Sequence, residues 1–283
     1  MIVITGATGQ LGRLVISHLL KTTPSGQIVA AVRDPAKAAD LQALGVHVRQ
    51  ADYNDPASLD TAFAGATKVL LISSNDIGNR TAQHQNVIDA AVRASAALLA
   101  YTSVLHADTS LLGLASEHRE TEDAIRASGL TYTLLRNGWY LENYTAGLKG
   151  ALEHGALSGA ASDGKIAAAA RDDYAQAAAV VLASGQPVAQ VYELAGDTSF
   201  TLSDLAAETG KQADRELPYH NLGQHEYREL LVTVGLPPAV ADLLANSDFA
   251  ASKGALFDDS GTLGKLIGRP TQPLADAVKA ALA

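Results

Sequence analysis

The sequence predicts an α/β fold built on a doubly wound, mostly parallel sheet, and three observations predict it. The apolar run Ile2-Val3-Ile4 passes through the glycine-rich stretch Thr5 to Gly12 into an amphipathic segment, Leu11 to Leu20, which reads as strand, tight turn and helix. Further apolar runs of strand length recur at 27–32, 46–50, 68–73, 98–103 and 130–136, with helical patterns such as 80–95 and 114–128 between the later ones. That alternation is expected of βαβ units. Hydrophobic residues make up 47% of the 283 positions and charged residues only 18%, enough apolar side chain to cover both faces of such a sheet.

Each glycine of the first turn has a physical task. Gly6, Gly9 and Gly12 follow a Gly-x-x-Gly-x-x-Gly spacing, which suits a turn without a Cβ, close backbone approach to a pyrophosphate, and tight packing of helix on strand. The helix start then offers unpaired N–H groups and a partial positive charge to an anion. Gly6, Ala7, Thr8, Gly9, Gln10 and Leu11 are therefore the candidate phosphate cradle of a Rossmann-like dinucleotide site. A glycine turn with a purely steric purpose is the plain alternative, and the strand-turn-helix context argues against it.

The second apolar run ends at Arg33-Asp34-Pro35, with Lys37 shortly after. An acid at this strand tip suits the ribose hydroxyls of NADH, whereas an arginine suits the 2′-phosphate of NADPH. Arg33 occupies the tip, so NADPH is favoured and NADH stays possible; the bland reading is a solvated strand-end arginine. Asp52 and Tyr53 follow the third strand, where the adenine side of a dinucleotide is expected, and either also reads as a turn residue. Ser73, Ser74 and Asn75 end the fourth, beside the expected pyrophosphate and nicotinamide ribose.

Short-chain dehydrogenases carry a Ser or Thr at the end of the fifth strand and a Tyr-x-x-x-Lys on the next helix. None of the nine tyrosines here has a lysine four residues on. The helical pattern over 114–128 offers Glu117, His118, Glu120 and Glu122 instead. His118 reads as a proton donor or as a residue on the solvated face, and so charged a helix favours the solvated face. The sixth strand runs into Arg136-Asn137-Gly138-Trp139-Tyr140-Leu141-Glu142-Asn143-Tyr144, at the strand edge where open α/β sheets bind ligands. A flat aromatic wall there suits a planar substrate; aromatics packing a helix onto the sheet is the rival reading.

From Gly155 onward the pattern changes to a small, polar stretch over 158–165, an alanine-rich helix over 172–183, a short strand over 191–194, and helical patterns over 202–209, 226–234 and 240–246. The expected organisation is a dinucleotide-binding domain over 1–154, to which later segments return, and a smaller, mostly helical substrate lobe over 155–283 that closes the substrate cleft.

Composition narrows the partners. Twenty-one Lys and Arg against 30 Asp and Glu give a net charge of −9, with no dense basic run, which argues against nucleic acid. Cysteine is absent, which excludes disulfides and thiolate chemistry. The eight histidines show no ligand spacing, so no metal site is expected. No apolar run approaches the ~20 residues of a membrane span and no basic segment precedes Ile2; a soluble cytoplasmic protein is the expectation.

The strings TGATGQLG, AAVRDPAK, ADYND, LLISS, YTSVLHADTSLLGLASEH, LLRNGWYLENY, YELAGD and ASKGALFDDSGTLGKLIG together resemble the NmrA-like, atypical short-chain dehydrogenase/reductase family, and within it the type 2 NAD(P)H:quinone oxidoreductases. The resemblance implies NADPH-dependent two-electron reduction of quinones. It implies a cofactor bordered by Gly6 to Leu11, Arg33, Ser73 to Asn75 and Asn137, Gly138, Trp139, Tyr140, Leu141 and Glu142, with Tyr53 and Asn143 near the quinone. A homodimer is compatible with it. Similar proteins include a triphenylmethane-dye reductase and NADP-sensing regulators without turnover. Plant isoflavone-reductase-like relatives use a lysine where this chain has His118, so that chemistry does not transfer.

The missing dyad points the same way. Hydride delivered to an ordinary ketone makes a strongly basic alkoxide that must be protonated as it forms. A quinone gives instead a hydroquinone anion with a phenol-like pKa of about 10, and a cationic dye becomes neutral. Candidate roles are Asn143 and Tyr53 on the acceptor oxygen, with His118 as the acid if a carbonyl or imine is the substrate.

Overall fold

A computed structural model describes residues 1–186 and 188–283. The strands are β1 (Ile2–Ile4), β2 (Ile28–Val32), β3 (His47–Gln50), β4 (Lys68–Leu71), β5 (Leu98–Val104), β6 (Tyr132–Asn137), β7 (Leu157–Gly159), β8 (Val191–Leu194) and β9 (Tyr219–Asn221). Seven of them form one sheet in the order β3-β2-β1-β4-β5-β6-β8. Every pairing from β3 across to β6 is parallel. The chain thus runs outward from β1 through β2 to β3 and then resumes on the other side at β4. That reversal, between β1 and β4, is the switch point at which a doubly wound sheet opens a ligand crevice. The expected fold class is what the chain adopts.

The helices between these strands are α1 (Gln10–Leu19), α2 (Ala39–Ala43), α3 (Pro56–Ala62), α4 (Arg80–Arg93) and α5 (Ala115–Ala127). Leu11, Val15, Ile16 and Leu19 are buried on one side of α1, the i, i+4, i+8 stripe that makes an amphipathic helix. α1 packs on α8 (Arg171–Ala183), whose buried residues include Ala175, Ala177, Ala178 and Ala179, small enough to allow close approach. His18 Nε2 lies 2.7 Å from Asp172 Oδ1 at this contact. Lys68 Nζ donates to Leu182 O and Ser184 O at 2.8 and 2.7 Å, closing the C-terminal end of α8 with a cation where the helix dipole favours one. Asp55 caps α3 by accepting from Ala57 N–H, with proline at the first helical position, a start signal for a helix of only seven residues.

Two compact units result: 1–107, 116–137 and 171–192 make the first, and 108–115, 138–170 and 193–283 the second. After β6 the chain passes into the second unit between Asn137 and Gly138, and Arg171–Tyr192 belongs again to the first. The first unit holds the core of Val3, Val29, Leu59, Phe63, Val69, Leu71, Ile88, Leu99 and Tyr101.

The second unit contains α6 (Leu141–Thr145), α7 (Leu148–His154), the parallel pair β7-β9, α9 (Leu202–Gln212), α10 (Gln224–Thr233), α11 (Pro238–Ala251), α12 (Thr262–Ile267) and α13 (Leu274–Leu282). Its loop 160–162 is fastened through the backbone: Ala160 N–H donates to Asp248 Oδ2 (2.9 Å), Ala161 N–H to Tyr219 Oη (3.2 Å) and Ser162 N–H to Asn221 Oδ1 (2.8 Å). Burial pushes the Asp248 carboxyl up to about 6. No helix among the described residues is long and apolar enough to cross a membrane.

Candidate dinucleotide site

The glycine turn is built as its spacing requires. Gly6 has φ +57°, and a Cβ on Gly12 would come within 2.6 Å of Gly6 O and 2.7 Å of Ala7 Cα, both backbone atoms with no freedom to yield. Gly9 N–H donates to Gly6 O at 2.9 Å, closing the turn. Gly9 is the N-cap residue of α1, no side chain caps the helix, and no acid lies in its first turn. The first-turn N–H groups thus face an exposed rim formed by Gly6, Gly9 and Gln10, with Ala7 and Leu11 buried behind it. That is the arrangement an incoming phosphate needs.

Arg13 ties this turn to the tip of β2. Its Nε donates to Thr8 O (3.2 Å), its Nη2 to Lys37 O (2.7 Å), and it pairs with Asp40. Asp34 is consumed locally, accepting from Ala36 N–H at 3.0 Å to cap the short turn Pro35–Ala38. Arg33 is exposed, and no carboxylate among the described residues pairs with it, which leaves its guanidinium for an anion.

Tyr53 lies beneath the turn. Its hydroxyl donates to Ile72 O at 2.8 Å and sits 2.5 Å from Thr5 Oγ1, which also receives Ile72 N–H at 3.0 Å. Burial drives the phenol pKa up. The Tyr53 proton is thus engaged in joining β1 to the end of β4. The same bonds explain why β4 stops at Leu71 and not at Ser73, as its apolar run suggested: Ile72 turns its peptide toward Thr5 and Tyr53. Asp52 is a turn residue, accepting from Asn54 N–H at 2.8 Å.

His118 is where the structure departs most from the sequence reading. It is buried, 5% exposed, and not on a solvated face. Its Nδ1 lies 2.7 Å from the hydroxyl of Tyr101, itself fully buried. Burial first, then the positive charge of Arg80, pushes the His118 pKa down to about 3, which leaves a neutral imidazole at physiological pH.

One turn further along α5, Glu122 is fully buried. Its Oε1 accepts from Ser103 Oγ (2.5 Å) and Arg136 Nε (2.9 Å), and its Oε2 from Arg136 Nη2 (2.6 Å) and Arg126 Nη2 (2.9 Å). A serine near the end of β5 and a carboxylate of α5 are thus joined with Arg136 as a buried clamp.

The segment after β4 is held by α4, whose Arg80, Gln83 and His84 are buried. Sequence reasoning missed all three, because polar residues at the start of a helix read as solvated. The signal was present in the spacing: 80, 83, 84, 87, 88 and 91 form one helical stripe that ends in Val87, Ile88 and Ala91. Asn137, at the end of β6, has a buried Oδ1 with no hydrogen-bond partner, the kind of orphaned acceptor that marks a ligand contact.

In the second unit, Gly138 N–H donates to Leu194 O (2.7 Å), Leu141 N–H to Ala169 O (2.9 Å), and Trp139 O receives Ala169 N–H (3.1 Å). Leu141 is buried, Trp139, Tyr140 and Glu142 are half-buried, and Asn143 is exposed on α6. The aromatic pair is thus set by backbone bonds to Ala169.

An uncapped helix N-terminus beside a glycine turn, at the switch point of a doubly wound sheet, defines a dinucleotide-binding protein of the Rossmann class. Residues 6–184 match the family described as NAD(P)H-binding, and the chain belongs to that family. It is 58% identical to quinone oxidoreductase 2 of Escherichia coli strain K12 over 278 residues, 98% of this chain and 97% of that relative. Its fold superposes with TM-score 0.98 and 57% identity, over all of both chains, on the crystal structure of the NADPH-dependent quinone oxidoreductase QOR2 of Escherichia coli complexed with NADPH. It is also similar to the triphenylmethane reductase of Citrobacter sp. complexed with NADP(H), with TM-score 0.96 and 39% identity over 99% of this chain and 100% of that one.

Proposed function

We propose that this chain is an NADPH-dependent oxidoreductase that reduces quinones and similar planar, electron-poor acceptors by direct hydride transfer. The observation that carries the reading is the Ser103–Glu122–Arg136 clamp with the neutral His118 beside it. Positions that would protonate an alkoxide hold a locked carboxylate and an imidazole that is a poor acid at neutral pH. The 58% identity to a quinone oxidoreductase over the full length supports the same substrate class.

Bound NADPH supplies the hydride from nicotinamide C4. The chain's own residues bind and orient: the N–H groups of Gly6 to Leu11 hold the pyrophosphate, Arg33 pairs with the 2′-phosphate, and Ser73 to Asn75 with Asn137 border the nicotinamide ribose. On the family resemblance, Gly138, Trp139, Tyr140, Leu141 and Glu142 are further candidates for cofactor contact. Asn143, with its carboxamide exposed on α6, donates a hydrogen bond to the acceptor oxygen. The quinone gains two electrons and one proton as hydride, and water supplies the second proton after transfer. Tyr53 braces the cradle without giving up its proton.

Steady-state oxidation of NADPH with a benzoquinone tests the proposal. Turnover on the quinone with none on a simple aliphatic ketone is expected. Tight NADPH binding without turnover would mark a sensor, and formation of a chiral alcohol from the ketone would mark a carbonyl reductase; either result refutes it.

A further inference from the structure

Ser74 lies in the loop that leaves β4 at the switch-point crevice, and α4 grips it at each of its polar atoms. Its N–H donates to His84 Nε2 (2.9 Å), its Oγ donates to Gln83 Oε1 (2.5 Å), and its carbonyl accepts from Arg80 Nε (2.8 Å). The three gripping side chains are 0%, 5% and 5% exposed, so the loop is held from inside the fold. A loop that needed only to be closed would use apolar packing, since buried polar groups are costly unless satisfied. A fully satisfied network imposes one geometry.

The tautomer of His84 follows from its partners. Ser74 N–H needs a lone pair on Nε2, so the ring proton sits on Nδ1, 2.9 Å from Thr121 Oγ1, whose hydroxyl donates to Glu117 O at 2.8 Å. Glu117 also pairs with Arg80 and accepts from Gly78 N–H at 2.8 Å. Burial and the Arg80 charge push the His84 pKa down to about 3, which keeps the acceptor lone pair available.

We infer that His84 is a positioning residue: as a neutral, Nδ1-protonated acceptor it holds the Ser74 peptide, and through it the loop that borders the nicotinamide half of the dinucleotide. The inference rests on the dinucleotide reading of this crevice and assigns the part of the ligand that the loop controls. His84 touches neither cofactor nor acceptor.

The test compares two ligands. His84→Leu leaves Ser74 N–H unpaired, while His84→Gln returns an amide oxygen close to the place of Nε2. His84→Leu is expected to bind 2′,5′-ADP, the adenosine half, as the wild type does, and NADPH about 10-fold more weakly, the cost of one stranded buried donor. His84→Gln should recover most of that loss. Unchanged NADPH affinity in His84→Leu, or equal loss of both ligands, overturns the inference.

Should His84→Leu fail to fold, Thr121→Val removes the acceptor for Nδ1–H, together with the hydroxyl's bond to Glu117 O, which α5's own backbone also serves; the same split is expected, and its absence is a refutation. Imidazole nitrogen NMR of the unaltered protein must show His84 protonated on Nδ1, and protonation on Nε2 contradicts the assignment. None of these readouts uses a quinone. A chain that binds NADPH but reduces no quinone would defeat the proposed reaction and leave this inference to its own outcome.

Discussion

Arg33 and Asp34 are adjacent and opposite in charge, and only hydrogen bonding decides which of them addresses the cofactor. Asp34 Oδ1 accepts from Ala36 N–H in the turn, while Arg33 is exposed and pairs with no carboxylate among the described residues. Replacing Arg33 by Ala should therefore weaken NADPH by about 10- to 100-fold, the worth of a charge-assisted contact to phosphate, and leave NADH nearly unchanged. Titration of both cofactors checks this, and equal losses would remove the 2′-phosphate role. The glycine turn was legible in the sequence because its task is local: a turn between a strand and a helix start. His118 was not. Its stripe on α5 is His118, Thr121, Glu122 and Ile125, and three polar members made a buried face look solvated. The partners that satisfy it, Tyr101, Ser103 and Arg136, come from other strands, and nothing near residue 118 in the chain announces them.

Elements show the same division. β1 through β6 and the helices α1, α4, α5 and α8 were evident from apolar runs and helical periodicity, with end errors of a residue or two. The short α2, α3, α6 and α7, and the pair β7-β9, were not, since segments of three to seven residues carry too little periodicity and are set by caps and by the neighbours they pair with. α5 is anchored to β5 and β6 by Glu122. Glu122→Ala removes the buried carboxylate that accepts from Arg136, Arg126 and Ser103 and should cost about 3–5 kcal/mol in urea unfolding; a loss within the range of a surface substitution would show that the clamp does not anchor the helix.

Asp248 on α11 gives a second element-scale prediction, with the sign fixed by its raised pKa. Between the unfolded value of 3.8 and the folded value of about 6, the folded state binds more protons, so stability falls as pH rises through that window. Asp248→Asn keeps an acceptor for Ala160 N–H and avoids the buried charge. It should exceed the wild type in stability above pH 6 by roughly 1–3 kcal/mol, with the difference vanishing near pH 4. A difference that does not change with pH would refute the buried-acid reading.

For the whole molecule, the two buried histidines of the first unit dominate the expected acid response. His84 and His118 both have pKa values pushed down to about 3 from 6.5. Below pH 6.5 the unfolded chain takes up protons that the fold refuses, so their contribution is complete above that value and is lost as pH falls toward 3. Each adds a slope of up to about 1.4 kcal/mol per pH unit. His118→Gln should flatten the decline of unfolding free energy with falling pH by about one proton's worth, and an unaltered slope would show that His118 titrates normally in the fold.

The central claim is that hydride reaches the acceptor without a proton moving in the same step. Single-turnover oxidation of NADPH by a benzoquinone, run with 4-deuterated cofactor and separately in D2O, addresses it most directly. A clear slowing with the deuterated cofactor and a rate in D2O close to that in water are predicted. A solvent effect as large as the primary one would mean that an acid within the protein works during transfer, and would contradict the claim.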